Sequence, residues 1–193
     1  MIGYLRARLI GATKRAFAFP VARRLLRQQD GSAAIEFSLV AVPFFALIFA
    51  IMETALVFYA GQTLETAGAD SARLIMTGQA QSKGLDKDTF KDAVCDKVKA
   101  FGLFNCATGL AVDVQKYSQF SDINLSTLPL DEDGKLKTDG FVYQPGGPGE
   151  IVVVRVMYQW PVYVSLLGLN LSDMAGGKRL LMSTSAFRNE PYL

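Results

Sequence analysis

The chain has 193 residues, 50% of them hydrophobic, and a formal net charge of +2. It contains no histidine and two cysteines, Cys95 and Cys106, too far apart for a CxxC half-site. That composition excludes Ser-His-Asp and Cys-His catalysis, His-ligated zinc and CxxC redox chemistry, and neither a Walker A nor a GxGxxG phosphate-binding pattern occurs.

The small net charge hides an asymmetry. Arg6, Arg8, Lys14, Arg15, Arg23, Arg24 and Arg27 precede residue 30, where Asp30 is the single acid. The remainder is mildly acidic, which argues against nucleic acid as a partner. The reading is of a protein that is not an enzyme, with no catalytic residues, no metal, no cofactor and no small-molecule substrate.

Residues 1–31 form a basic leader in which Arg and Lys alternate with apolar residues. Such a stretch lies on an anionic inner leaflet as an amphipathic segment, or serves as an unstructured basic tail with the same orienting effect. Residues 37–52 carry no charge, and between Glu53 and Glu65 there is none either. About 20 apolar residues span the hydrocarbon core, so residues 37–59 suffice to cross a lipid bilayer. With the positive charges on the N-terminal flank, that flank is expected in the cytoplasm and the C-terminal domain outside. The competing reading, a cleaved secretory signal, calls for a shorter apolar region of roughly 7–15 residues and a small-residue exit site.

The helical period continues past the span. Leu64, Ala67, Ser71, Leu74 and Gly78 recur at spacings of three and four. One transmembrane and extended helix is therefore expected over 32–78, ended by Gly78 and the polar run that follows. Its small, weakly apolar stripe suits packing on a domain or on neighbouring helices.

Residues 79–193 are expected to form an exported α+β domain. A helix is expected from Thr89 to about Leu103, with Thr89 as cap and Phe90, Val94, Val98 and Phe101 on one face. If the chain reverses near 102–105, Cys95 and Cys106 meet, and an oxidising compartment then favours a disulfide. The alternative is two separately buried thiols. Alternation marks strands at 110–115, 152–159 and 181–188. Residues 118–150 carry Pro129, Asp133-Gly134, Asp139-Gly140 and the cluster Pro145-Gly146-Gly147-Pro148-Gly149, which is turn material. The whole describes a small antiparallel sheet packed with a short helix. Asp131-Glu132-Asp133-Gly134 fails as a calcium loop, because Leu136 and Val142 stand where Gly and Glu are required. It reads as a solvated acidic turn.

Between leader and span lies Gly31-Ser32-Ala33-Ala34-Ile35-Glu36-Phe37. Here the chain resembles the type IV prepilin class, in which a membrane-embedded aspartic peptidase cuts after a Gly and a Glu stands fifth in the mature chain. Cutting after Gly31 makes Ser32 the first residue and Glu36 the fifth. A carboxylate at the edge of a span costs several kcal/mol unless paired or protonated. The new α-amine on Ser32 supplies a partner for Glu36 of a neighbouring subunit. The alternative is that Glu36 snorkels into the cytoplasmic headgroups.

The run from Ala34 through Pro43 to Ile51-Met52-Glu53-Thr54 looks like the TadE-like anchor of tight-adherence pilus systems. The cysteine pair before the Leu110–Val114 strand and the terminal Phe187-Arg188-Asn189-Glu190-Pro191-Tyr192 are similar to that family too. The resemblance implies a minor pseudopilin held in the bacterial inner membrane and needed for pilus assembly. Its partners would be the prepilin peptidase, other pilins and pseudopilins, and inner-membrane assembly proteins. Pro43 cannot donate to the carbonyl of Leu39 and is expected to loosen the span where subunits pack. Glu53 stands either at the outer interface or in a helix–helix contact. A different class, a membrane-anchored binding module, would use the Gly/Pro-rich loop at 144–150 as its ligand contact.

Overall fold

The computed structural model describes residues 31–99, 102–125, 128–164 and 170–192. Residues 1–30 of the basic leader lie outside them. The chain divides into two compact units, Met1–Pro43 and Phe44–Leu193. Helix α1, Ser32–Met76, begins in the first and continues in the second.

In the first unit α1 exposes Ile35, Phe37, Leu39, Val40 and Val42, each at least 64% accessible. Ser38 returns its hydroxyl to the carbonyl of Ala34 at 2.7 Å, so its polarity is satisfied inside the helix. Pro43 sits within the helix, where its missing N–H leaves the Leu39 carbonyl without its usual donor.

The second unit continues α1 and adds α2 (Gln79–Ser82), α3 (Lys87–Lys99), α4 (Cys106–Gly109) and strands β1 (Leu110–Tyr117), β2 (Ile151–Pro161) and β3 (Lys178–Arg188). The strands form one antiparallel sheet in the order β1-β2-β3. The fold is α+β, with one helix among the described residues long and apolar enough to cross a membrane.

Within this unit α1 changes character at Ala50. From there Ala50, Glu53, Val57, Ala60, Leu64, Ala67, Ser71 and Ile75 are buried at spacings of three and four. The expected stripe therefore exists, and it packs on the chain's own domain. Val57, Ala60, Leu64, Ala67 and Ile75 share one core with Phe90, Val94 and Val98 of α3, with Val112 and Val114 of β1 and with Val152, Val154 and Val156 of β2. Full burial of Leu64 or Ile75 contributes about 1.5–3 kcal/mol. Small residues let α1 approach closely: a Cβ on Gly68 would fall 2.8 Å from the Cβ of Ser183 on β3.

Three expectations need correction. The polar run after Gly78 does not simply end the helix. Gly78 takes a left-handed φ of 74°, and Gln79–Ser82 then form one further turn. The second helix spans Lys87–Lys99, not 89–103, and its cap is Asp86. Asp86 accepts from the Thr89 N–H at 2.8 Å while the Thr89 hydroxyl accepts from the Asp86 N–H at 2.9 Å. Thr89 is the reciprocal partner in a capping box, since an N3 side chain faces back to the N-cap amide.

The third correction concerns the far side of the sheet. Alternation leaves Asp113, Arg155 and Met157 looking solvent-directed, yet β2 is buried along almost its whole length. Leu130, Leu136 and Phe141 pack on Met157, Met174 and Leu180, so part of the segment read as turns forms a second cover. Its acidic turn is closed internally, with Asp131 accepting from the Lys135 N–H at 2.7 Å.

Candidate functional site

Gly31 is exposed at the start of α1, and Glu36 lies on the exposed surface between Ile35 and Phe37. Gly31 and Glu36 are thus both on the accessible surface, five residues apart. Pro43 follows one and a half to two turns further along the same helix.

Glu53 is elsewhere. It is 4% exposed, in the second unit, and its Oε1 accepts from the Tyr163 N–H at 3.2 Å. Neither reading of Glu53 from the sequence included this intramolecular partner. A buried carboxylate without a donor is costly, so the chain leaving β2 brings its backbone to it.

Cys95 and Cys106 form a disulfide across a Cα–Cα distance of 5.9 Å. It ties α3 to the turn that feeds β1. Beside it the Phe104 ring meets those of Tyr158 and Trp160 at 4.8 and 5.8 Å, edge-on. The Tyr158 hydroxyl accepts from the Asn105 N–H at 2.8 Å. The cross-link thus pins a strand end that already has an aromatic anchor.

Two constellations escaped the sequence. One is an ion pair on the covered face. Asp113 is fully buried and receives Arg155 through Nε at 3.1 Å and through Nη2, Gln115 at 2.9 Å, and the Val142 N–H at 3.0 Å. Asp113 and Arg155 are register partners, a juxtaposition visible only once β1 and β2 are paired. The other is a clamp at the end of α1. Gln81 donates to the carbonyls of Pro145 and Gly146 at 2.9 and 3.1 Å. Asn189 donates to those of Pro145 and Gly147 at 2.9 and 3.0 Å. The Glu190 N–H reaches the Met76 carbonyl at 2.9 Å, and the Tyr192 ring covers Gly78. Long-range contacts of this kind leave no periodic signature.

The titratable groups outside the span report the same local architecture. The Thr89 hydroxyl and N–H hold the Asp86 carboxyl below its ordinary value. The Gly147 N–H, at 2.7 Å, and then Lys116 do the same for Glu150. Burial, helped by Asp86, pushes the Tyr143 phenol up to about 12. These shifts accompany turns, caps and packing. Among the described residues no group of three or more Cys, Asp and Glu side chains is placed to hold a metal ion.

The family model described as TadE-like protein matches residues 31–73. The match starts at Gly31 and covers the apolar segment and most of the docking stripe. It bears out the resemblance over that stretch. The sheet, the disulfide and the C-terminal clamp lie beyond the matched residues. None of the curated proteins and none of the solved structures matches the chain.

Proposed function

We propose that the chain is a minor pseudopilin of a tight-adherence, type IV-like pilus, an assembly subunit and not an enzyme. The TadE-like match from Gly31 to residue 73 is the observation that carries this reading. In it the prepilin peptidase cuts between Gly31 and Ser32. Residues 37–59 hold the product in the bacterial inner membrane, with the N-terminal side cytoplasmic and the domain periplasmic. The exposed apolar residues from Ile35 to Tyr59 support contacts with lipid and with the helices of other pilins and assembly proteins. The Ser32 α-amine of one subunit pairs with Glu36 of another, an interaction strengthened by low dielectric.

The anchored binding module is less well supported. The loop at 144–150 that would have served it spends the carbonyls of Pro145, Gly146 and Gly147 on Gln81, Asn189 and Tyr192. Glu36→Ala tests the assembly reading. Surface pili are expected to be lost while processing, membrane level and the Cys95–Cys106 disulfide stay unchanged. Normal piliation with Glu36→Ala would remove the proposed pairing.

A further inference from the structure

The two edges of the sheet are treated differently. Next to β1 the chain supplies its own cover: the Val114 N–H donates to Val142 and the Gln144 N–H to Val114, a short parallel bridge. β3 has a direction that its end bonds fix. The Asn189 N–H donates to the Glu150 carbonyl, toward β2, whereas the Lys178 carbonyl accepts from Asp173 and Met174, away from it. The Leu180 N–H also points away, to the Asp173 carboxylate. Bonding direction alternates along an antiparallel strand. The amides and carbonyls of Met182, Thr184 and Ala186 therefore face outward, and among the described residues no backbone group bonds to them.

Edges left open in this way are normally blunted by Lys, Pro or a bulge. Here the run from Leu180 to Phe187 has no charge and no proline, and Met182, Thr184 and Ala186 are exposed. Alongside it, a groove of about 360 Å³ separates the β3 residues Arg179 and Met182 from Phe58, Gly61 and Glu65 of α1. Phe58 is exposed and lies near the outer end of the apolar segment at 37–59, so the groove lies beside that end.

We propose that the outer edge of β3 is a strand-addition site, and that it takes an extended, uncharged segment of a different membrane-anchored subunit. Open amides select an extended backbone, and alternate side chains set its specificity. The uncharged run selects an uncharged partner. The position beside the outer end of the span selects one tethered in the same membrane. A second copy does not fit. Two identical edges pair antiparallel about a two-fold normal to the sheet. That operation reverses the part of α1 that packs on the sheet face, so the helices of the two copies would run in opposite directions. The proposal rests on the assembly reading for the kind of partner, and the mass of the processed chain decides that reading separately.

The test places a photoreactive phenylalanine analogue at residues 182, 184 and 186, and at the exposed turn residue Glu132 as a control, in the full chain within cells that build the whole pilus. Adducts from the three edge positions, absent from Glu132, should map to one uncharged segment of one anchored sister subunit. Thr184→Pro removes only an outward N–H, so it should cut the yield from residue 182 by about fivefold to tenfold with the β2 ladder intact. Thr184→Lys, which keeps the backbone, should do likewise, and the disulfide reports that each variant is folded. Adducts only to a second copy or to lipid, no adducts from folded protein, or yields unchanged in both variants would overturn the proposal.

Discussion

Asp113 and Arg155 face each other across β1 and β2 with the carboxylate wholly removed from water. Four donors reach it, so its charge is satisfied, and a guanidinium stripped of that carboxylate would have no substitute on the covered face. Breaking a buried pair costs more than the pair is worth, because the surviving charge stays desolvated. Asp113→Ala should lower stability by about 3–5 kcal/mol, read as a reduced urea midpoint at unchanged slope in detergent. Tyr143 makes the opposite case. Its hydroxyl is buried with no hydrogen-bond partner among the described residues, so the ring contributes and the oxygen does not. Its ordinary value is 10.0 and the folded one about 12. The raised folded value means its contribution is complete below pH 10 and is lost as pH rises toward 12. Tyr143→Phe should leave neutral-pH stability unchanged or slightly higher and should flatten the alkaline limb of a pH titration of unfolding.

At the scale of elements, the disulfide and α1 answer to different principles. The Cys95–Cys106 link closes a separation of 11 residues. Loop-closure entropy then assigns it about 3 kcal/mol. The Cys95→Ser, Cys106→Ser double variant should lose that much in thermal or urea unfolding while keeping its helix and strand content. Much of this level was legible beforehand. The three strands, the antiparallel sheet, the α1 stripe and the cysteine pair all follow from periodicity or spacing, which are local properties. The misreadings were of tertiary origin. A Thr before an apolar period has the signature of a cap, and Asp86 competes for the role only through their reciprocal bonds. Residues 128–150 carry turn chemistry, and that chemistry does not reveal that Leu130, Leu136 and Phe141 lie on Met157 and Leu180. Glu53 stayed ambiguous because its donor is the Tyr163 N–H, 110 residues away in sequence.

For the molecule as a whole, the distribution of surface is the functional statement. The described residues of the first unit, and the second unit's helix to about Tyr59, present apolar side chains outward. From Ala50 onward the same helix also buries a continuous stripe in its own domain. One side of this helix is therefore exposed and apolar while the other is buried in the chain's own domain. The TadE-like match ends at residue 73, within the last turn of α1, which closes at Met76. The domain beyond is held by a core, a disulfide and a clamp.

Whether α1 starts at a prepilin-type signal is decided by the mass of the membrane-extracted chain. The full chain would be expressed with and without its prepilin peptidase. Loss of residues 1–31 only when the peptidase is present, leaving Ser32 as the first residue, is the predicted result. An intact chain from Met1 to Leu193 under both conditions would contradict it and leave a signal-anchored module whose binding partners are the open question.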